Sequence, residues 1–68
     1  MQSFELSDEY IHLNQLLKIM HWANDGGHAN QLIDDGQIKV NGQTELRRRN
    51  KISAGMLVEM EDKKIQVI

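Results

Sequence analysis

At 68 residues the chain has room for one small domain, which buries only about 60% of its unfolded surface and so needs an efficient core. It has no cysteine, which excludes a disulfide framework and a thiolate metal site. No apolar run approaches membrane-spanning length and the N-terminus lacks a secretory pattern, so a soluble, cytoplasmic protein with no membrane partner is expected.

Phe4 and Leu6 flank Glu5, which predicts a short edge strand over residues 2–6. Ser7-Asp8-Glu9 reads as a polar connection, and Tyr10-Ile11-His12 as an extended lead-in. Leu13, Leu16, Leu17 and Met20 follow the helical i, i+3, i+4, i+7 template, predicting a first helix over residues 13–21. Trp22 is expected to plug the core with its large apolar ring. Asn24 or Asp25 is the expected N-cap of a second helix, with Gly26 and Gly27 in its first turn. Ala29, Leu32 and Ile33 form its buried stripe. Gly36 ends it, since glycine enters the left-handed conformation that stops a helix.

Ile38 and Val40 alternate with Gln37 and Lys39, the period of a half-buried strand. Asn41-Gly42 is a strong hairpin signal, because a type I′ turn needs positive φ at both central residues. Gln43 to Asn50 has little apolar content and reads as a return strand running into an exposed basic loop. Ile52 points inward, and Ser53-Ala54-Gly55 is a turn. Leu57–Met60 is a strand, Glu61-Asp62-Lys63-Lys64 a polar turn, and Ile65–Ile68 a final strand. The expected core is Leu13, Leu16, Leu17, Met20, Leu32, Ile33, Ile38, Val40, Ile52, Val58 and Ile65, with Met60 a further candidate and Met1 and Met56 peripheral. The predicted architecture is α+β, a two-helix hairpin packed on a small, mainly antiparallel sheet.

The net charge of −2 conceals a strong polarity. Residues 1–36 carry −5, residues 39–51 carry +4, and residues 52–68 carry −1. The cationic stretch holds Lys39, Arg47, Arg48, Arg49 and Lys51 against one acid, Glu45. A hairpin leading into a compact cation cluster is a device for binding a polyanion locally, while the rest of the chain repels it.

These segments together resemble the S4-like RNA-binding domain, the αL motif. HLNQLLK at His12–Lys18 is similar to that family's Arg-Leu-Asp-x-x-Leu start, and Gly36–Gly42 to its Gly-x-Val-x-Val-Asn-Gly signature. Lys51–Met60 looks like its closing segment, with Gly55 in the place of the usual Gly-Asp. The resemblance is nearest to the small stand-alone bacterial members, the YbcJ/YaaA-like RNA-binding proteins. They share the short N-terminal strand, the Gly-Gly before the second helix and a basic loop ending in Lys. Departures are His12 in place of Arg, Asn30 in place of Lys and Asp25 in place of Ser, which leave the second helix without a cation.

The resemblance implies one RNA-binding domain across residues 1–68, acting as a monomer on structured RNA of the ribosomal or transfer type. Arg47, Arg48, Arg49 and Lys51 are the expected main contacts, since the planar guanidinium fork suits phosphate and stacks on bases. Lys39, Lys18 on the outer face of the first helix, and His28 at the start of the second are further candidates. Gly26-Gly27 offers bare N–H groups to an approaching phosphate, or simply starts the helix. His12, His21 and His28 lack the spacing of a metal site, and Asp34-Asp35 reads as a solvated helix end. No nucleophile–base pair stands out, so an enzyme, a cofactor and a small-molecule substrate are not expected. The rival reading is a protein-interaction adaptor whose basic loop docks an acidic partner, favoured by the overall acidity and the cation-free second helix.

Overall fold

A computed structural model describes residues 2–68; Met1 and the expectation for it lie outside the described residues. The elements in chain order are β1 (Gln2–Phe4), β2 (Ile11–His12), α1 (Leu13–Ile19), α2 (Gly26–Asp34), β3 (Ile38–Val40), β4 (Gln43–Thr44), β5 (Lys51–Ile52), β6 (Leu57–Met60) and β7 (Lys63–Val67). Five strands form one sheet in the order β1-β7-β6-β3-β4, antiparallel except for the β1–β7 pair. β2 and β5 form a separate antiparallel ladder, with Ile11 opposite Ile52 and His12 opposite Lys51.

One core joins helices and sheet. Leu13, Leu16 and Leu17 from α1, Ala29 and Ile33 from α2, and Ile38, Ile52, Val58, Ile65 and Val67 are fully buried. Trp22, Ala23 and Met60 complete it. Neither helix is long enough to persist alone, so burial of these stripes is what holds both. The expected core is found except at Met20, Leu32 and Val40, which are half-buried and pack on its edge, as does Met56.

Both helices end in the same backbone device. At α2, Gly36 N–H donates to the Ile33 carbonyl at 3.0 Å and Gln37 N–H to that of Leu32 at 3.1 Å. Gly36 has φ 76°, the left-handed residue of a Schellman cap. At α1, His21 donates to Lys18 at 3.1 Å and Trp22 to Leu17 at 3.0 Å, with His21 at φ 61°. The first helix therefore stops at Ile19 rather than residue 21, because a Schellman cap reverses the chain there without a glycine.

The hairpin turn is as its sequence predicts. Asn41 and Gly42 have φ 53° and 83°, and Asn41 Oδ1 accepts from Leu57 N–H at 3.0 Å, tying the turn to β6. Four strand boundaries differ from expectation. β1 ends at Phe4, although hydrogen bonds from Ile68 to Phe4 and from Leu6 to Ile68, each 2.9 Å, prolong its track. The return strand stops at Thr44, because Glu45 turns its carboxylate back toward the loop. The polar turn is only Glu61-Asp62, with Glu61 at φ 56°, since Lys63 and Lys64 already pair with Met60 and Glu59. The final strand is therefore Lys63–Val67 rather than Ile65–Ile68.

Candidate nucleic-acid interface

α1 begins without a side-chain cap; His12 makes no capping hydrogen bond. The first N–H groups of a helix need partners, and the basic loop supplies them from its backbone. Leu13 N–H donates to the Asn50 carbonyl at 2.9 Å and Asn14 N–H to that of Arg48 at 3.0 Å. The loop is thus fastened across the mouth of α1 at Arg48 and Asn50.

Its side chains are fastened as well. Glu45, half-buried, accepts from Arg47 Nε at 2.9 Å, Arg47 Nη2 at 3.2 Å and Asn50 Nδ2 at 3.1 Å. Arg48 reaches the end of α2 and grips Asp34 through Nε and Nη2. The two hydrogen-bonded carboxylates are held below their ordinary range, Asp34 by Arg48 and Glu45 by Arg47; the two guanidinium groups are correspondingly raised. The three consecutive arginines are therefore not equivalent. Among the described residues, Arg49 and Lys51 have no carboxylate partner within 4.0 Å, and neither has Lys18.

Arg49 lines a hollow with Lys18, His12, Asn14, Gln15 and Gly26. The hollow lies where the loop, the first two turns of α1 and the start of α2 converge. A second hollow, which shares Arg49 with the first, is lined by Arg47, Arg49, Asn50 and Lys51. α1 and α2 are fixed in this arrangement by the core and by Asn14 Nδ2 donating to Asn30 Oδ1 at 3.1 Å.

At the start of α2, Asp25 is the N-cap, its carboxylate accepting from His28 N–H at 2.8 Å. The first two N–H groups, on Gly26 and Gly27, are left for solvent or a ligand. Gly26 is not demanded by the fold: its φ is not positive, and a Cβ there would meet nothing within 4 Å. Glycine in a helix lowers stability relative to alanine, and this one lies on the wall of a cationic hollow.

The expected site residues fall into four groups. Lys18, Arg49 and Lys51 lie along this face with no carboxylate partner among the described residues; Arg47 and Arg48 carry charge there while also bracing the loop. His28 is engaged locally, its Nδ1 accepting from Asn24 N–H at 3.0 Å. Lys39 is on the outer face of the sheet, opposite Thr44 and Glu59, and Glu59 also lies 4.0 Å from Lys64. Lys39 lines neither of the two hollows that hold Arg49. His12, which the sequence did not single out as an RNA contact, lines the hollow, and the β2–β5 ladder sets it opposite Lys51. Among the described residues no group of three or more metal-ligating side chains converges.

The fold and this arrangement define a family. The chain belongs to the S4 domain family, whose model matches residues 4–68. It is 38% identical over 69 aligned residues to the protein YbcJ of Escherichia coli strain K12, spanning all of this chain and 99% of that one. YbcJ of Shigella flexneri matches with the same identity and coverage. The solution structure of E. coli YbcJ aligns at TM-score 0.75 with 38% identity, covering 100% of this chain and 87% of that chain. That structure is described as revealing an αL motif involved in RNA binding.

Proposed function

We propose that this protein is a non-enzymatic RNA-binding module that holds structured RNA, of the ribosomal or transfer type, on the face where the basic loop meets the two helices. The observation that carries the reading is the convergence of Arg49, Lys18, His12 and the bare N-terminal glycine of α2 on one hollow. Cations supply the attraction to phosphate, and the exposed N–H groups and dipole of a helix start favour an anion placed there. The loop's double fastening, backbone to α1 and guanidinium to α2, fixes the spacing of these groups. A rigid cationic surface reads the shape and backbone of folded RNA, which is the usual mode for helical RNA. The description of YbcJ as RNA-binding supports the same reading. Lys39, on the other face of the sheet, is a lesser contributor, and the chain acts as a cytoplasmic monomer.

The rival reading, an adaptor docking an acidic protein, draws support from Leu46, which is 60% exposed beside the loop. Crosslinking in cells, followed by sequencing of attached nucleic acid and identification of attached protein, separates the two. Recovery of discrete structured RNAs is the expected result. Protein partners without RNA would replace this reading with the adaptor.

A further inference from the structure

We infer that Tyr10 is a stacking platform for an unpaired RNA base whose phosphate is held by the cation beside the ring, Lys51. The inference rests on the proposed RNA-binding reading and adds to it the class of RNA: a structured element carrying an unpaired nucleotide at its edge.

The chain has three residues of the Phe, Trp and Tyr type. Trp22 is buried and Phe4 packs against the core. Tyr10 alone of the three is turned to the surface, 40% exposed, and it makes no side-chain hydrogen bond among those the described residues form. The core does not need it, and a large apolar ring held in water on a short extended segment asks for a partner.

Its surroundings say which kind. Lys51 Nζ lies 4.9 Å from the ring centroid, and the His12 ring is 5.5 Å away, tilted by 44°. The β2–β5 ladder fixes both neighbours, since it sets His12 opposite Lys51. His12 and Gln15 line the hollow beside Tyr10 and also the hollow of Lys18 and Arg49. The ring therefore sits at the end of a continuous surface that begins at the free arginine.

An exposed cation–π contact is weak, so Lys51 readily trades the ring for a phosphate. That movement uncovers an aromatic face, and a base stacks on it regardless of sequence because every base has a π-face. Asp8 and Glu9 line the same hollow as Tyr10, and their carboxylates repel a phosphate from it. The nucleotide is thereby oriented, with its phosphate toward Lys51 and Arg49 and its base over Tyr10.

The test compares one RNA hairpin in two forms, blunt-ended and with a short unpaired adenosine overhang. Wild type, Tyr10→Phe, Tyr10→Leu and Tyr10→Ala are titrated with each, and 2-aminopurine in the overhang reports stacking directly. Tyr10→Ala and Tyr10→Leu are expected to lose about 5- to 100-fold in affinity for the overhang form and less than about twofold for the blunt form. Tyr10→Phe should match wild type, and wild type should quench 2-aminopurine while Tyr10→Leu does not. Equal losses on both forms, or no loss on the overhang form, or an unquenched probe with wild type, would overturn the platform while leaving RNA binding intact. Failure of wild type to bind either hairpin would remove the RNA-binding reading itself, and the platform with it.

Discussion

Arg48 and Asp34 close a bidentate bridge, Nε to Oδ1 at 3.0 Å and Nη2 to Oδ2 at 2.6 Å, between the basic loop and the last residue of α2. The pair is exposed, so its effect on global stability is small, but its effect on the loop is not. Asp34→Asn should leave the melting temperature nearly unchanged while speeding hydrogen exchange at the amides of Leu13 and Asn14, which donate into the loop. Exchange rates at those amides equal to wild type would show that the backbone bonds alone hold the loop.

The pH dependence of that bridge has a defined sign. Asp34 is held below its ordinary value of 3.8 by its hydrogen bond from Arg48, and Glu45 below 4.5 by that from Arg47. A carboxylate depressed in the folded state stabilises fully above its unfolded value and loses that effect as pH falls through the folded one. Loop protection should therefore be complete above pH 4.5, the higher of the two ordinary values, and fall progressively as the pH drops below it. Hydrogen exchange followed across pH 3 to 6, corrected for intrinsic rates, checks this; loss of protection already at pH 5 would contradict it.

Two glycines should respond to alanine in opposite directions. Gly42 has φ 83° with open space around it, so Gly42→Ala meets backbone strain alone and should cost about 1–2 kcal/mol. Gly26→Ala should stabilise the fold by up to about 1 kcal/mol, yet weaken RNA binding by intruding on the hollow. Urea denaturation and an RNA titration of each variant make the comparison. A Gly26→Ala protein that is both more stable and equally tight in binding would remove close approach from the account.

His21 holds a left-handed conformation at the end of α1, a state that costs a non-glycine residue about 1–2 kcal/mol. Glycine would relieve it but loses more entropy on folding. His21→Gly should accordingly stabilise the protein by about 0.5–1 kcal/mol, read from the denaturation midpoint. A destabilised variant would mean that the imidazole contributes packing at this cap.

Much of the frame was legible because it is written in local periodicity. The leucine stripe of α1, the Ile38–Val40 alternation and the Asn41-Gly42 turn each specify their own conformation. The same alternation placed Lys39 on the face opposite Ile38 and Val40, away from the core. What the sequence hid is tertiary. The early stop of α1 comes from a histidine doing the work of glycine. The difference among Arg47, Arg48 and Arg49 depends on Asp34, 14 residues upstream, and on a loop whose backbone carbonyls cap a helix, which no residue type announces.

The central claim is that Lys18, Arg49 and Lys51 supply the free charge that binds RNA, while Arg47 and Arg48 mainly brace the loop. Each phosphate neutralised contributes about −0.7 to −0.9 to the slope of log affinity against log salt. A titration of one structured RNA over a range of potassium chloride concentrations, with wild type, the Lys18→Ala/Arg49→Ala pair and Arg47→Ala, tests it most directly. Wild type should give a slope of about −2 to −3; the double variant should flatten it by about 1.5 to 2, and Arg47→Ala should change it by less than about one phosphate's worth. A double variant with wild-type slope, or an Arg47→Ala protein that flattens it as much as the double variant does, would contradict the account.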